Sequence, residues 1–232
     1  MTKTAYRRYA LYFMPRTHEP WVEFATSWLG WDAEAGREVD HPDVDPLPRP
    51  VAEITERPRK YGLHATIKAP FRLADGVSGD DLAAAAERLC TTLAPVVLDG
   101  VAVTKIGRFI ALCPVGDETA LNALAGACVE GLDGLRAPLT DAELAKRRAG
   151  RLSPAQDAYL TRWGYPYVMD EFRFHITLSG PLPGAEQSAV ADVLDRRLSP
   201  LLPVPFAIDA MAVAGEAEDG RFHVLHRYAL SG

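Results

Sequence analysis

The sequence predicts an α+β fold of two pseudo-symmetric lobes, each a mainly antiparallel sheet with helices on one face, forming a central cleft. Three observations predict it. Short β-branched and aromatic runs alternate with longer runs of helical period across the 232 residues. One strand, Gly62-Leu63-His64-Ala65-Thr66-Ile67-Lys68, is echoed by a second, Phe172-Arg173-Phe174-His175-Ile176-Thr177-Leu178-Ser179. After each, the chain repeats itself: a proline six residues past the histidine (Pro70, Pro181), a helix, a strand ending Val101-Ala102-Val103 or Met211-Ala212-Val213, then Arg108-Phe109 or Arg221-Phe222. Such self-similarity marks a duplicated unit, and duplicated units pack about a pseudo-two-fold axis.

Taken in order, Tyr9–Met14 is an aromatic-rich strand closed by Pro15. Residues 19–29 read as a helix, with Pro20 in the first turn and Trp21, Phe24, Ala25 and Trp28 at helical spacing. Residues 31–60, rich in proline and acid, read as a long irregular loop or flap. The first His-x-Thr strand follows, then an Ala-rich scaffold helix over 80–93, strands over 96–104 and 108–113 around Gly107, and a helix over 119–132. Residues 140–170 have the character of an insertion: a charged helix over 141–148, a second opened by Ser153-Pro154, and the aromatic loop Trp163-Gly164-Tyr165-Pro166-Tyr167. The second His-x-Thr strand, a helix over 186–198 and strands over 204–213 and 221–230 close the chain. The expectation is one bilobal domain over 1–232, with the His64 motif in a lobe of about 1–115 and the His175 motif in a lobe of about 116–232. Which lobe takes the first strand and which the last stays open, so strand exchange between them is allowed.

The formal net charge of -6 argues against a general binder of long nucleic acid, while leaving room for a local cationic pocket around a small phosphorylated ligand. Cys90, Cys113 and Cys128 lack paired spacing and read as free thiols of a reducing compartment. No apolar run is long enough to span a membrane, and the N-terminus lacks a signal-peptide pattern. A cytoplasmic location is expected, with no membrane partner.

Side chains alternate along a strand. His64, Thr66 and Lys68 therefore share one face, and Arg173, His175, Thr177 and Ser179 share one face of the second strand. A pseudo-two-fold axis then sets His64 facing His175 across a cleft. Two imidazoles so placed divide acid and base duties near neutral pH. The Thr66 and Thr177 hydroxyls can donate to phosphate oxygens, and Lys68 and Arg173 can neutralise charge. The set suits in-line displacement at a phosphodiester, above all a strained cyclic one, without a metal or other cofactor.

Paired His-x-Thr strands in a duplicated α+β unit resemble the two-histidine (2H, LigT-like) phosphoesterase superfamily. The blocks running from Lys60 to Arg72 and from Trp163 to Leu178 resemble, more narrowly, its phosphonate-operon-associated bacterial branch. The superfamily implies cyclic phosphodiesterase or RNA end-processing chemistry, with His64, Thr66, His175 and Thr177 at the matching positions. The branch implies a sugar substrate, a ribose 1,2-cyclic phosphate carrying a 5-phosphate.

The expectation is thus a metal-independent cyclic phosphodiesterase. Its catalytic residues are His64, His175, Thr66 and Thr177, and Lys68, Arg173, Tyr61, Arg72, Arg108 and Tyr167 bind substrate. The alternatives are RNA 2′,3′-cyclic-phosphate processing or ligation, and a non-catalytic nucleotide- or phosphosugar-binding module. The run Lys146-Arg147-Arg148 reads as a solvated helix end. His41 with Asp43 and Asp45 does not read as a metal site, because prolines separate the ligands and no second cluster accompanies them.

Overall fold

A computed structural model describes residues 6–44 and 46–232. The N-terminal residues read above for a signal pattern (1–5), and Asp45, lie outside the described residues. The N-terminal part holds β1 (Arg8–Phe13), α1 (Pro20–Leu29), β2 (Trp31–Asp32), β3 (Arg37–Glu38), α2 (Val51–Ile54), α3 (Glu56–Arg59) and β4 (Ala65–Phe71). Next come α4 (Gly79–Cys90), β5 (Val96–Leu98), β6 (Gly100–Ile106), β7 (Phe109–Val115) and α5 (Thr119–Gly131). The remainder holds α6 (Asp141–Arg148), α7 (Pro154–Trp163), β8 (Ile176–Thr177), α8 (Gly184–Leu198), β9 (Phe206–Ile208), β10 (Ala210–Glu216) and β11 (Phe222–Ala229).

Local chemistry accounts for most boundaries. α1 begins with Pro20 in its first turn and stops at Gly30, whose φ of 82° is open to glycine at little cost. α4, α6 and α7 each open on a reciprocal capping box: Ser78 with Asp81, Thr140 with Glu143, Ser153 with Gln156.

The protein is α+β with antiparallel pairing, as the sequence predicts, but the two expected sheets are one. Seven strands run in the order β11-β10-β1-β4-β8-β7-β6, and the two His-x-Thr strands, β4 and β8, are hydrogen-bonded neighbours at its centre. The halves of the chain interleave: β10 and β11 lie beyond β1 on the His64 side, while β6 and β7 lie on the His175 side. The duplication shows in the pairing. β4 pairs with its repeat partner β8, and β5 pairs with its repeat partner β9 in a separate two-stranded sheet. Equivalent elements meet because a pseudo-two-fold axis passes between them. The stretch read as a loop, 31–60, carries the β2–β3 hairpin and the short helices α2 and α3.

The main core lies between the sheet and its helices. It joins Leu11 and Phe13 of β1, Ala65 and Ile67 of β4 and Ile176 of β8 to Leu82 of α4, Leu124 of α5 and Leu194 of α8. A smaller apolar cluster, including Ala10, Tyr12, Trp31 and Phe222, uses the alternate residues of β1 and so lies on the opposite face. Cys90, Cys113 and Cys128 are free, and burial pushes the Cys90 thiol up to about 11 and the Cys128 thiol up to about 12. Among the described residues no helix is long and apolar enough to cross a membrane.

Candidate active site

The site is built on the β4–β8 pairing. Ala65 pairs with Ile176, and both belong to the main core. One step to either side, on the opposite face, antiparallel register sets His64 against Thr177 and Thr66 against His175. The two histidines are therefore diagonal neighbours on the floor of one sheet, a relation that sets residues about 7–8 Å apart with their Cβ atoms somewhat closer. This corrects the expected geometry of opposing walls: shared ladder bonds, rather than two facing lobes, bring the motifs together. The expected strand over 172–179 is ladder-paired only at Ile176–Thr177.

The two imidazoles are held alike. Nδ1 of His64 lies 3.0 Å from the Gly62 carbonyl oxygen, and Nδ1 of His175 lies 2.8 Å from the Arg173 carbonyl oxygen. A carbonyl only accepts, so each Nδ1 carries the hydrogen and each Nε2 is left to accept or exchange a proton. Gly62 supplies its carbonyl from a turn at φ 70°, where an added Cβ would stand 2.8 Å from the Ala33 Cβ. His64 is nearly fully buried, and burial lowers its pKa to about 4, with the charge of nearby His175 acting in the same direction against the Gly62 carbonyl. At neutral pH His64 is thus an uncharged proton acceptor.

A cavity of about 440 Å³ opens over His64, Thr66 and Thr177. Tyr61 lines it with its ring 5.5 Å from that of His64. Tyr12, the β1 residue paired with Thr66, also lines it, and its ring centroid lies 4.2 Å from that of His64. Tyr12 Oη is buried without a hydrogen-bond partner among the described residues. Arg8, Arg57 and Arg147 also line the cavity, Arg8 with its guanidinium held by the Glu216 carboxylate. His175 does not line the cavity; half-buried, it packs on the wall residue Phe109 with ring centroids 5.6 Å apart.

Several expected substrate residues lie elsewhere. Strict alternation puts Lys68 beside Thr66, but β4 carries an extra residue there: Thr66 pairs with Tyr12 while Lys68 pairs with Leu11. This bulge breaks the two-residue period. Lys68 is buried, and its Nζ donates to the Val129 carbonyl of α5 and to Asp133. Burial pulls its pKa below the ordinary lysine value. The Arg173 guanidinium folds back onto the Asp170 and Phe172 carbonyls and does not line the cavity. Arg72 pairs with Glu143 at 3.0 Å and donates to the Pro138 carbonyl, beside a neighbouring cavity. Arg108 is exposed, as is Tyr167, which packs on Tyr165; neither lines the groove.

Other lining residues carry little functional signal in the sequence: Tyr12 and Arg57 stand in no motif, and Arg8 shows only the echo of Arg8-Tyr9-Ala10-Leu11 in Arg108-Phe109-Ile110-Ala111. Ser179, on the expected face, lines the groove, but its hydroxyl is spent on the Ile110 amide and the Gly180 carbonyl. The run read as a solvated helix end divides. Arg148 pairs with Asp157 at the surface, whereas Arg147 reaches the groove with its guanidinium 5.0 Å from the Tyr165 ring. Among the described residues no group of three or more His, Cys, Asp or Glu side chains could hold a metal ion.

A family model described as "Protein of unknown function (DUF1045)" matches residues 66–223. Two curated relatives are each named "Ribose 1,5-bisphosphate phosphokinase PhnN". The one from Janthinobacterium sp. (strain Marseille) is 39% identical over 218 residues, covering 92% of this chain and 48% of that protein. The one from Laribacter hongkongensis (strain HLHK9) is 36% identical over 182 residues, covering 75% of this chain and 40% of that protein. The chain spans about half the length of the curated relatives it matches. Similar solved structures include E. coli LigT complexed with 3'-AMP, at 16% identity and a TM-score of 0.44 over 98% of this chain and all of that one. TT0787 of Thermus thermophilus matches at 17% identity and a TM-score of 0.41, covering 97% of this chain and 98% of that one. The relatives' names correct the expected activity. Both denote kinases, which transfer a phosphoryl group, and neither denotes a hydrolase opening a cyclic phosphate.

Proposed function

Since the chain belongs to the DUF1045 family and aligns with part of two proteins named for phosphoryl transfer on a ribose phosphate, we propose that its groove binds a phosphorylated ribose and moves protons as phosphorus changes partners. The sugar hydroxyl that gains a bond to phosphorus gives its proton to Nε2 of neutral His64. The oxygen that loses its bond to phosphorus takes a proton from His175. Thr66 and Thr177 hold the phosphoryl oxygens between the two rings, and Arg57 and Arg147 offset their charge.

The observation that carries this reading is the matched tethering of the two imidazoles, each by Nδ1 to the carbonyl two residues before it. A packing histidine has no need of such duplication, whereas a pair that passes protons needs both Nε2 atoms free. Phosphorylated riboses are the class to test because that is the chemistry of the relatives' names.

Titration calorimetry with ribose 5-phosphate tests the binding, and phosphorus NMR with the same sugar and a nucleoside triphosphate tests the chemistry. Binding in the wild type and loss of turnover by roughly a hundredfold or more in His64→Ala and His175→Ala are expected. No binding at millimolar sugar phosphate, or turnover that survives both substitutions, would sink the proposal.

A further inference from the structure

Beside the histidine groove lies a second cavity of about 540 Å³, and the two share Arg8, Ala69, Pro70, Arg147 and Tyr165 as a common wall. Six cationic side chains line it: Arg8, Lys68, Arg72, Arg136, Lys146 and Arg147. They face a single lining carboxylate, Glu143, in a chain whose net charge is -6. Four of the six are committed to internal pairs: Arg8 to Glu216, Lys68 and Arg136 to Asp133, and Arg72 to Glu143. Lys146 and Arg147 have no carboxylate partner among the described residues, and Arg147 stands on the shared wall. Two cations without a carboxylate partner at one wall draw an ion of the opposite sign, and a guanidinium fork matches phosphate oxygens. Phe71, Leu139, Trp163 and Val168 supply apolar wall for a carbon frame.

We propose that this chamber is a second phosphate site, and that the ligand spanning groove and chamber is a sugar bisphosphate. The inference rests on the reading of the groove as a ribose-phosphate site and adds what selects among such sugars. One phosphate lies under the histidines. The other passes the Arg147–Tyr165 wall and is met by Lys146 and Arg147 from α6. That helix buries none of its residues in the core, so Lys146 can be changed without loss of core packing, and Arg147 gives up only its contact with the Tyr165 ring.

The test compares dissociation constants for ribose 5-phosphate and ribose 1,5-bisphosphate in the wild type, in Lys146→Glu and in Arg147→Gln, with circular dichroism to confirm folding. The wild type should prefer the bisphosphate by roughly tenfold or more, as expected for charge-assisted hydrogen bonds to a second phosphate. Each variant should bring that preference close to one. A preference absent in the wild type, or unchanged in both variants, overturns the chamber site while leaving the groove's reading intact. Inorganic phosphate, followed by phosphorus line broadening, separates the two sites directly. Broadening that survives His64→Ala and disappears in Lys146→Glu, whose residue lines the chamber and not the groove, supports the chamber. The reverse pattern places the anion in the groove alone and overturns it.

Discussion

The ring of Tyr12 lies 4.2 Å from that of His64, centroid to centroid, and its buried hydroxyl finds no hydrogen-bond partner among the described residues. A polar group left so costs about 1–3 kcal/mol. Strands β1 and β4 hold it there, since Tyr12 pairs with Thr66 on the groove face.

Tyr12→Phe removes the stranded hydroxyl and keeps the ring against His64. The variant should be more stable by about 1 kcal/mol in urea melts. It should also bind ribose 5-phosphate more weakly, because the hydroxyl is a donor set at the groove wall. Equal ligand affinity in wild type and variant would show that Tyr12 only packs.

His64 should make folding sensitive to acid. Its folded pKa, about 4, lies below the ordinary histidine value of 6.5 because burial disfavours the charged ring. Between those values the unfolded chain binds more protons, so stability falls as pH drops from 6.5 towards 4 and is restored as pH rises. The interval corresponds to about 3 kcal/mol. Urea melts from pH 7.5 to 4 should show wild type losing about that much more than His64→Gln. Parallel pH curves for the two proteins would mean that His64 titrates as if solvated.

Lys68 and Asp133 form a largely buried pair, with Lys68 the deeper partner and Asp133 also held by Arg136. Asp133→Ala leaves a buried ammonium with only the Val129 carbonyl and the Phe71 ring and should cost about 3 kcal/mol or more. Lys68→Met should cost less, because Asp133 retains Arg136. The double variant should recover much of the loss. Denaturant midpoints of the three proteins check the ranking, and a costlier Lys68→Met would reverse it.

The chemistry-bearing strands are legible in the chain alone. Gly62 marks the approach to the first, which runs on through Pro70 to Phe71, and the period-two alternation around Ala65 and Ile176 sets His64, Thr66, His175 and Thr177 on one face. That holds because strand geometry fixes which face each side chain takes wherever the ladder is regular. Helix starts are legible for a similar local reason: Ser78, Thr140 and Ser153 each cap the turn that follows them. The remainder needed the packed fold. Joining β4 to β8 in one seven-stranded sheet is a long-range pairing, and two similar strands carry no mark of which edge each will share. The extra residue in β4 sends Lys68 to α5, against the alternation that fits its neighbours. Arg147 reads like Arg148 in the chain, yet packing sets it over Tyr165 at the groove while Arg148 meets Asp157 at the surface. Backbone preferences act within a few residues; the faces that meet are chosen by burial across the whole fold, and the positions of the cations follow from that choice.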